Sequence, residues 1–188
     1  STDHPFNPLA LCKGADATFI ARSMDRDPKH LREMLVRAEA HRGTSLLEIY
    51  QNCNVFNDGA FEVFTEKKSK PDNTIFVEHG KPLIFAGGTK GIKLDGMTPI
   101  AVDLSNGASA ADLWVHDERD GYKASILVRI FEDPRKEGAL PRPFGVFYVN
   151  DRATNETKLN AQLALAKEKK GVGDLDALLR GEHMWSIK

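Results

Sequence analysis

Ser45-Leu46-Leu47-Glu48-Ile49-Tyr50-Gln51-Asn52-Cys53-Asn54-Val55-Phe56-Asn57-Asp58-Gly59 joins an apolar run of strand length to a polar loop carrying one cysteine. Ser45 to Gln51 reads as a strand by its length, its apolar residues and the turn formers around it. The residues after it then lie at a strand's carboxyl end, where open α/β sheets place their ligands. Upstream, Asn7 caps a short helix that opens on Pro8 and continues through Leu9 to Lys13, ending at Gly14. Ala17 to Ala21 is a candidate buried strand. Asp27 caps a second helix opened by Pro28, in which Leu31, Met34, Leu35 and Ala38 follow the i, i+3, i+4, i+7 rule and Lys29, Arg32, Glu33 and Arg37 point outward. His41-Arg42-Gly43 closes it with basic residues and a glycine stop. Strand, helix and strand make a βαβ unit with parallel pairing and a right-handed crossover, so the expected class is α/β with a doubly wound sheet. A lone βαβ unit leaves sheet faces bare, and the strands that complete it must lie elsewhere.

After Cys53 the pattern shortens. Asn57 to Lys68 suggests a short helix with Phe61 and Phe64 as its apolar contacts, and Ser69 to Asn73 a linker. Strand candidates follow at Thr74 to Val77, Pro82 to Phe85, Gly91 to Leu94 and Ile100 to Leu104. A helical spacing runs from Tyr122 to Glu132, a last strand from Gly145 to Val149, and two helices from about Glu156 to Lys170 (capped by Asn155) and from Asp174 to Leu179. There is no internal repeat.

With 41% hydrophobic and 28% charged residues, the chain has the composition of a soluble globular protein, and no apolar run approaches the roughly 18 residues of a membrane span. Ser1-Thr2-Asp3-His4-Pro5 has neither a basic nor an apolar targeting region, so the cytoplasm is the expected location. A net charge of −1 provides no broad positive field, which argues against nucleic acid as a partner. Lys67, Lys68 and Lys70, and Lys167, Lys169 and Lys170, read as solvated faces. The start in mid-pattern and without methionine suggests a fragment or a processed piece.

Most motif-like stretches have a plainer explanation. Ala86-Gly87-Gly88-Thr89-Lys90-Gly91 lacks the Gly-Lys-Ser/Thr order of a phosphate loop and reads as a hairpin turn. In His116-Asp117-Glu118, neighbours on a strand point to opposite faces and do not converge on one ion; His79-Gly80-Lys81 has the same weakness. Asn155-Glu156-Thr157 matches a glycosylation sequon without any secretion signal to give it meaning. Cys12 sits inside the first helix as a core filler. Cys53 follows a buried strand among Asn52, Asn54 and Asn57, whose amides and backbone donors suit a thiolate; a structural thiol remains equally open on this chemistry alone.

Asp3-His4-Pro5-Phe6-Asn7-Pro8, Ala17-Thr18-Phe19-Ile20-Ala21-Arg22, Lys29-His30-Leu31 and above all Glu48 to Gly59 resemble the β subunit of the 2-oxoacid:ferredoxin oxidoreductases. The Tyr-Gln-Asn-Cys-Asn-x-Phe-Asn-Asp-Gly form is most similar to 2-oxoglutarate members. His79-Gly80-Lys81-Pro82-Leu83, Val115-His116-Asp117-Glu118 and Leu140 to Val146 also fit that subunit's C-terminal region. The resemblance covers nearly the whole chain but only about the C-terminal half of a usual subunit.

The resemblance implies thiamine diphosphate with Mg2+, a [4Fe–4S] cluster, a 2-oxoacid and coenzyme A as substrates, and an α subunit and ferredoxin as partners. In the family three cluster cysteines come from the subunit's N-terminal region, and Cys53 matches the fourth, a metal ligand. The family's Gly-Asp-Gly-Asp segment and its other three cysteines are absent, so no thiamine-contacting or catalytic residue is assigned. The expectation is an α/β fragment, with residues 1–68 forming the C-terminal part of a thiamine-diphosphate-binding doubly wound sheet and residues 69–188 a smaller α+β domain. By itself it is expected to be inactive and to hold no cluster. The alternative is a non-catalytic subunit-interaction module lacking the cofactor half.

Overall fold

The computed structural model describes residues 5–182, 185 and 187, so Asp3 and His4 of the family-like opening lie outside the described residues. The chain divides between Arg152 and Ala153 into two compact units.

In the first unit the βαβ pattern forms as the sequence suggests. Helix α1 (Pro8–Gly14) is capped by Asn7, whose Oδ1 accepts the Ala10 N–H at 3.1 Å. Strand β1 (Phe19–Met24) leads to helix α2 (Pro28–Ala40), capped by Asp27 through the His30 N–H, and then to strand β2 (Ser45–Tyr50). β1 and β2 are parallel, from Phe19 opposite Ser45 to Met24 opposite Tyr50. β1 begins two residues later than the sequence suggested. Leu35, placed on the apolar face by its spacing, is 49% exposed, and Met34 alone of α2 is buried. The helix faces the sheet through a narrower stripe than its apolar residues would allow.

The missing strands come from later in the chain. Short helices α3 (Glu62–Thr65) and α4 (Lys70–Asn73) lead into strand β3 (Thr74–Val77); α4 stands where Ser69 to Asn73 read as a linker, because Pro71 suits a first helical turn. A small antiparallel sheet follows, of β4 (Ile84–Phe85), β5 (Lys90–Asp95) and β6 (Thr98–Asp103). Phe85 opposite Lys90 makes Ala86 to Thr89 the hairpin turn that the glycines implied. After helix α5 (Gly121–Leu127), shorter than the helical spacing suggested, strand β7 (Arg142–Val149) enters the main sheet. The order there is β2-β1-β7-β3, with β7 antiparallel to β1 and parallel to β3. The sheet therefore crosses positions 68 and 69, where the domain boundary was expected.

Both faces of this sheet are covered, as the doubly wound expectation requires. Leu9 of α1 and Leu127 of α5 pack with Ile20, Ile75 and Phe147 on one side, joined by Ile92 of the small sheet. Met34 of α2 packs with Phe19, Ala21 and Val146 on the other. Gly145 lies where β7 pairs with both neighbours: its φ is 122°, and a Cβ there would stand 2.5 Å from the Val77 carbonyl oxygen. No other residue type fits that backbone and that approach.

The second unit holds helices α6 (Asn155–Lys170) and α7 (Leu175–Arg180). Thr154, not Asn155, caps α6: its Oγ1 accepts the Thr157 N–H at 3.2 Å and Asn155 is already helical. Asp174 caps α7. Among the described residues no helix is long and apolar enough to cross a membrane.

Candidate functional site

The site is built outward from Tyr50, the last residue of β2. Met24, Tyr50, Phe64 and Phe144 form a buried cluster where β1 and β2 end, with Phe61 and Phe76 packed against it. Tyr50 stacks on Phe61 at 4.3 Å and meets Phe144 edge-on at 5.5 Å. Arg142, at the start of β7, donates Nη1 to the Tyr50 hydroxyl at 2.6 Å and Nη2 to the Glu132 carbonyl at 2.7 Å, with its guanidinium 4.2 Å from the Phe131 ring centroid. Burial pushes the Tyr50 phenol up and the Arg142 guanidinium down from their ordinary values.

A second buried arginine lies beside the first. Arg22, fully enclosed on β1, donates Nε to Glu48 Oε2 at 2.5 Å and Nη1 to the Pro143 carbonyl at 3.1 Å. Its Nη2 has no partner among the described residues, but the guanidinium lies over the Tyr50, Phe131 and Phe147 rings. Two arginines and one carboxylate thus brace the strand end from below, held by charge-assisted bonds and ring faces. The sequence carries a sign of this network that was passed over: an arginine inside the apolar run Phe19 to Met24.

Above this base the loop after β2 is tied by Asn52. Its backbone N–H reaches Asp25 Oδ2 at 3.2 Å, and Asp25 N–H in turn reaches the Tyr50 carbonyl at 3.0 Å, so the loop is rooted on both parallel strands. The Asn52 amide donates Nδ2 to Asn54 Oδ1 at 2.9 Å and to Asp58 Oδ1 at 3.0 Å, while its Oδ1 accepts the Gly59 N–H at 2.9 Å. Asn57 N–H closes the turn on the Cys53 carbonyl at 2.8 Å.

The neighbouring backbone N–H groups of Phe56, Val55 and Asn57 lower the pKa of the Cys53 thiol. These donors stabilise sulfur in its anionic form, the form that binds metal. Cys12 contrasts with it: the residue sits in α1 against the main core. His116, Asp117 and Glu118 diverge, although they lie in an irregular turn after the isolated Pro82–Val115 bridge and not on the strand that the sequence reading assumed. His116 Nε2 meets the Val146 carbonyl at 2.7 Å, Asp117 accepts the Arg119 N–H at 2.9 Å, and Glu118 takes both Arg37 guanidinium nitrogens at 3.0 and 2.6 Å. Among the described residues no three His, Cys, Asp or Glu side chains gather as a metal site.

A separate cavity of about 720 Å³ runs along α2 and is lined by His30, Glu33, Arg37, His79 and Glu118 among others. His30 closes its floor, with Nδ1 2.8 Å from Ser23 Oγ and its ring edge-on to Phe76, and burial lowers its pKa.

Over 193 residues the chain is 33% identical to the 2-oxoglutarate oxidoreductase subunit KorB of Mycobacterium tuberculosis, a match that covers 100% of this chain and 50% of that one. Its relatives are β subunits of 2-oxoacid:ferredoxin oxidoreductases. A second such relative, the β subunit of Saccharolobus solfataricus, is 34% identical over 62 residues, 33% of this chain and 20% of that subunit. Among solved structures, a 2-oxoglutarate:ferredoxin oxidoreductase from Magnetococcus marinus, with 2-oxoglutarate, coenzyme A and succinyl-CoA bound, superposes with a TM-score of 0.56. At 18% identity over 95% of this chain and 44% of that one, this likeness shows the fold alone. No family model matches. The chain spans about half the length of KorB. The β-subunit resemblance that began with the Cys53 segment thus extends along the whole chain, and the mixed α/β sheet agrees with it.

Proposed function

We propose that this chain is part of the β subunit of a 2-oxoacid:ferredoxin oxidoreductase, with 2-oxoglutarate as the favoured substrate, and that Cys53 is one ligand of its [4Fe–4S] cluster. The observation that carries the reading is the position of Cys53, on a loop rooted in two parallel strands, where neighbouring backbone amides lower the thiol's pKa. The donor set fits the group: a cluster iron takes a thiolate, and N–H donors around the sulfur offset its charge. Among the described residues the fit extends to this one ligand and provides no Mg2+ set, so the remaining three cysteines and the thiamine diphosphate and Mg2+ contacts are assigned to the rest of the subunit.

When bound, thiamine diphosphate and the cluster together supply the chemistry by which a 2-oxoacid loses carbon dioxide, passes its acyl group to coenzyme A and its electrons to ferredoxin. The work of this chain is positional. Arg142 and Arg22 fix Tyr50 and with it the end of β2; Asp25 and Asn52 fix the loop; Cys53 is then held in place before any metal arrives. An α subunit and ferredoxin are the partners of this reading.

Replacing Cys53 by serine in the complete β subunit, assembled with its α subunit, tests it. The variant is expected to lose iron and the broad visible absorbance of the cluster, whereas Cys12→Ser retains both. Wild-type iron content and spectrum in Cys53→Ser would remove Cys53 from the ligand set and favour the non-catalytic module. The present chain, incubated with iron and sulfide by itself, is expected to assemble no cluster and to turn over no 2-oxoacid.

A further inference from the structure

We propose that the outer edge of β2 is the seam at which this chain joins the rest of its β subunit, which lays a strand of its own along Leu47 and Ile49. The proposal rests on the β-subunit reading above and adds to it the surface that the remaining part of the subunit occupies.

Among the described residues β2 pairs with β1 alone. The bonds at the two ends of that ladder, Phe19 N–H to the Thr44 carbonyl at 3.1 Å and Asp25 N–H to the Tyr50 carbonyl at 3.0 Å, set its alternation. In a parallel pair every second residue bonds inward, so Leu46, Glu48 and Tyr50 turn their main-chain groups to β1. Leu47 and Ile49 turn theirs outward, N–H and carbonyl both. The side chains agree: β1 is buried at all six positions, whereas Leu46, Leu47 and Glu48 are half-buried and Ile49 is 41% exposed.

Helix α2 leaves the same margin uncovered. Its Met34 meets the sheet, while His30 and Arg37 lean towards β3 and β7, where they meet Phe76 and Glu118. Leu35 stands about 160° around the helix from Arg37 and so lies on the side of β2. Leu47 packs with the Met34 cluster, and Ile49, two residues on, shares its face of the sheet. Leu35 and Ile49 therefore border the open edge on one face.

A row of outward main-chain donors and acceptors is matched by another strand. β2 carries no proline, no lysine and no bulge in its six pairs to keep such a strand away, whereas β6, the outer strand of the small sheet, has Pro99. The match to KorB accounts for 50% of that protein, so a subunit of that length has as much chain again from which to supply the strand.

Residue-resolved hydrogen exchange tests the seam in this 188-residue chain and in the complete β subunit, the latter with and without its α subunit. The Leu47 and Ile49 amides are expected to exchange freely in this chain and about 100-fold or more slowly in the complete β subunit, with Leu46 and Glu48 slow in both. Leu35→Lys should leave the melting temperature of this chain unchanged and lower that of the complete β subunit. Free exchange at Leu47 and Ile49 in the complete β subunit overturns the proposal. Slowing that needs the α subunit, or that is lost when the β subunit is diluted to monomer, assigns the edge to the α subunit or to a second copy and overturns it as well. Full iron in Cys53→Ser would defeat the enzyme reading and leave the exchange result untouched, so the two failures are distinct.

Discussion

Arg142 Nη1 lies 2.6 Å from the Tyr50 hydroxyl, joining residues 92 positions apart at the base of the Cys53 loop. Both groups are buried, and each is the other's polar partner at that point. The bond therefore matters more for what its loss leaves behind than for its own strength.

Tyr50→Phe keeps the ring and its stack on Phe61 but strands Arg142 Nη1. It should destabilise the first unit by about 1–3 kcal/mol, the usual cost of an unpaired buried donor. Urea unfolding followed by far-UV circular dichroism measures it, and an unchanged midpoint would show that the hydroxyl is dispensable.

Gly145→Ala places a methyl group 2.5 Å from the Val77 carbonyl at a φ of 122°. Backbone strain alone costs about 1–3 kcal/mol, and the contact adds to it. Thermal unfolding of the variant should show a clear loss against wild type. Equal stability would mean that β7 and β3 can part at this point without cost.

Burial lowers the pKa of both His30 and His116 below the ordinary 6.5. The unfolded chain then takes up these protons at a higher pH than the folded one, so stability is full above about 6.5 and falls as pH drops towards the folded values. Denaturation midpoints between about pH 7.5 and 5.5 should decline. His116→Gln should flatten part of that slope, and an unaltered slope in this variant would acquit His116.

The Cys53 pKa lies below the ordinary 9.0 because of backbone N–H bonds, and Asn52 holds the turn that aims them. With Cys12 replaced by serine, the rate of alkylation by iodoacetamide against pH should rise at lower pH than for an unstructured thiol. Asn52→Ala should return the profile towards the ordinary value. Identical profiles for the two forms would show that the turn keeps its shape without the amide.

The sequence revealed the βαβ unit because its signals are local: Asn7 and Asp27 as caps, a glycine stop, an apolar run of strand length. The place of Cys53, in a loop after a strand, was legible for the same reason, while its proposed role as a ligand came from the family resemblance. What joined these parts was not legible. Nothing in Arg142 to Val149 announces that it lies between β1 and β3, since pairing with partners so far away in the chain, more than a hundred positions for β1, leaves no periodicity behind. Arg22 and Arg142 were missed because a buried arginine looks like an exposed one until its partners are known. Leu35 erred the other way, apolar by spacing and yet turned to solvent.

The insertion of β7 between β1 and β3 also sets an order of events during synthesis. β1 and β2 can pair as soon as they leave the ribosome, but the inner edge of β1 has no mate until Arg142–Val149 has been made. Through that interval the nascent chain carries an open, hydrophobic strand edge, the kind that invites pairing with a neighbour. Slow, high-contact-order closure of the sheet is the kinetic consequence.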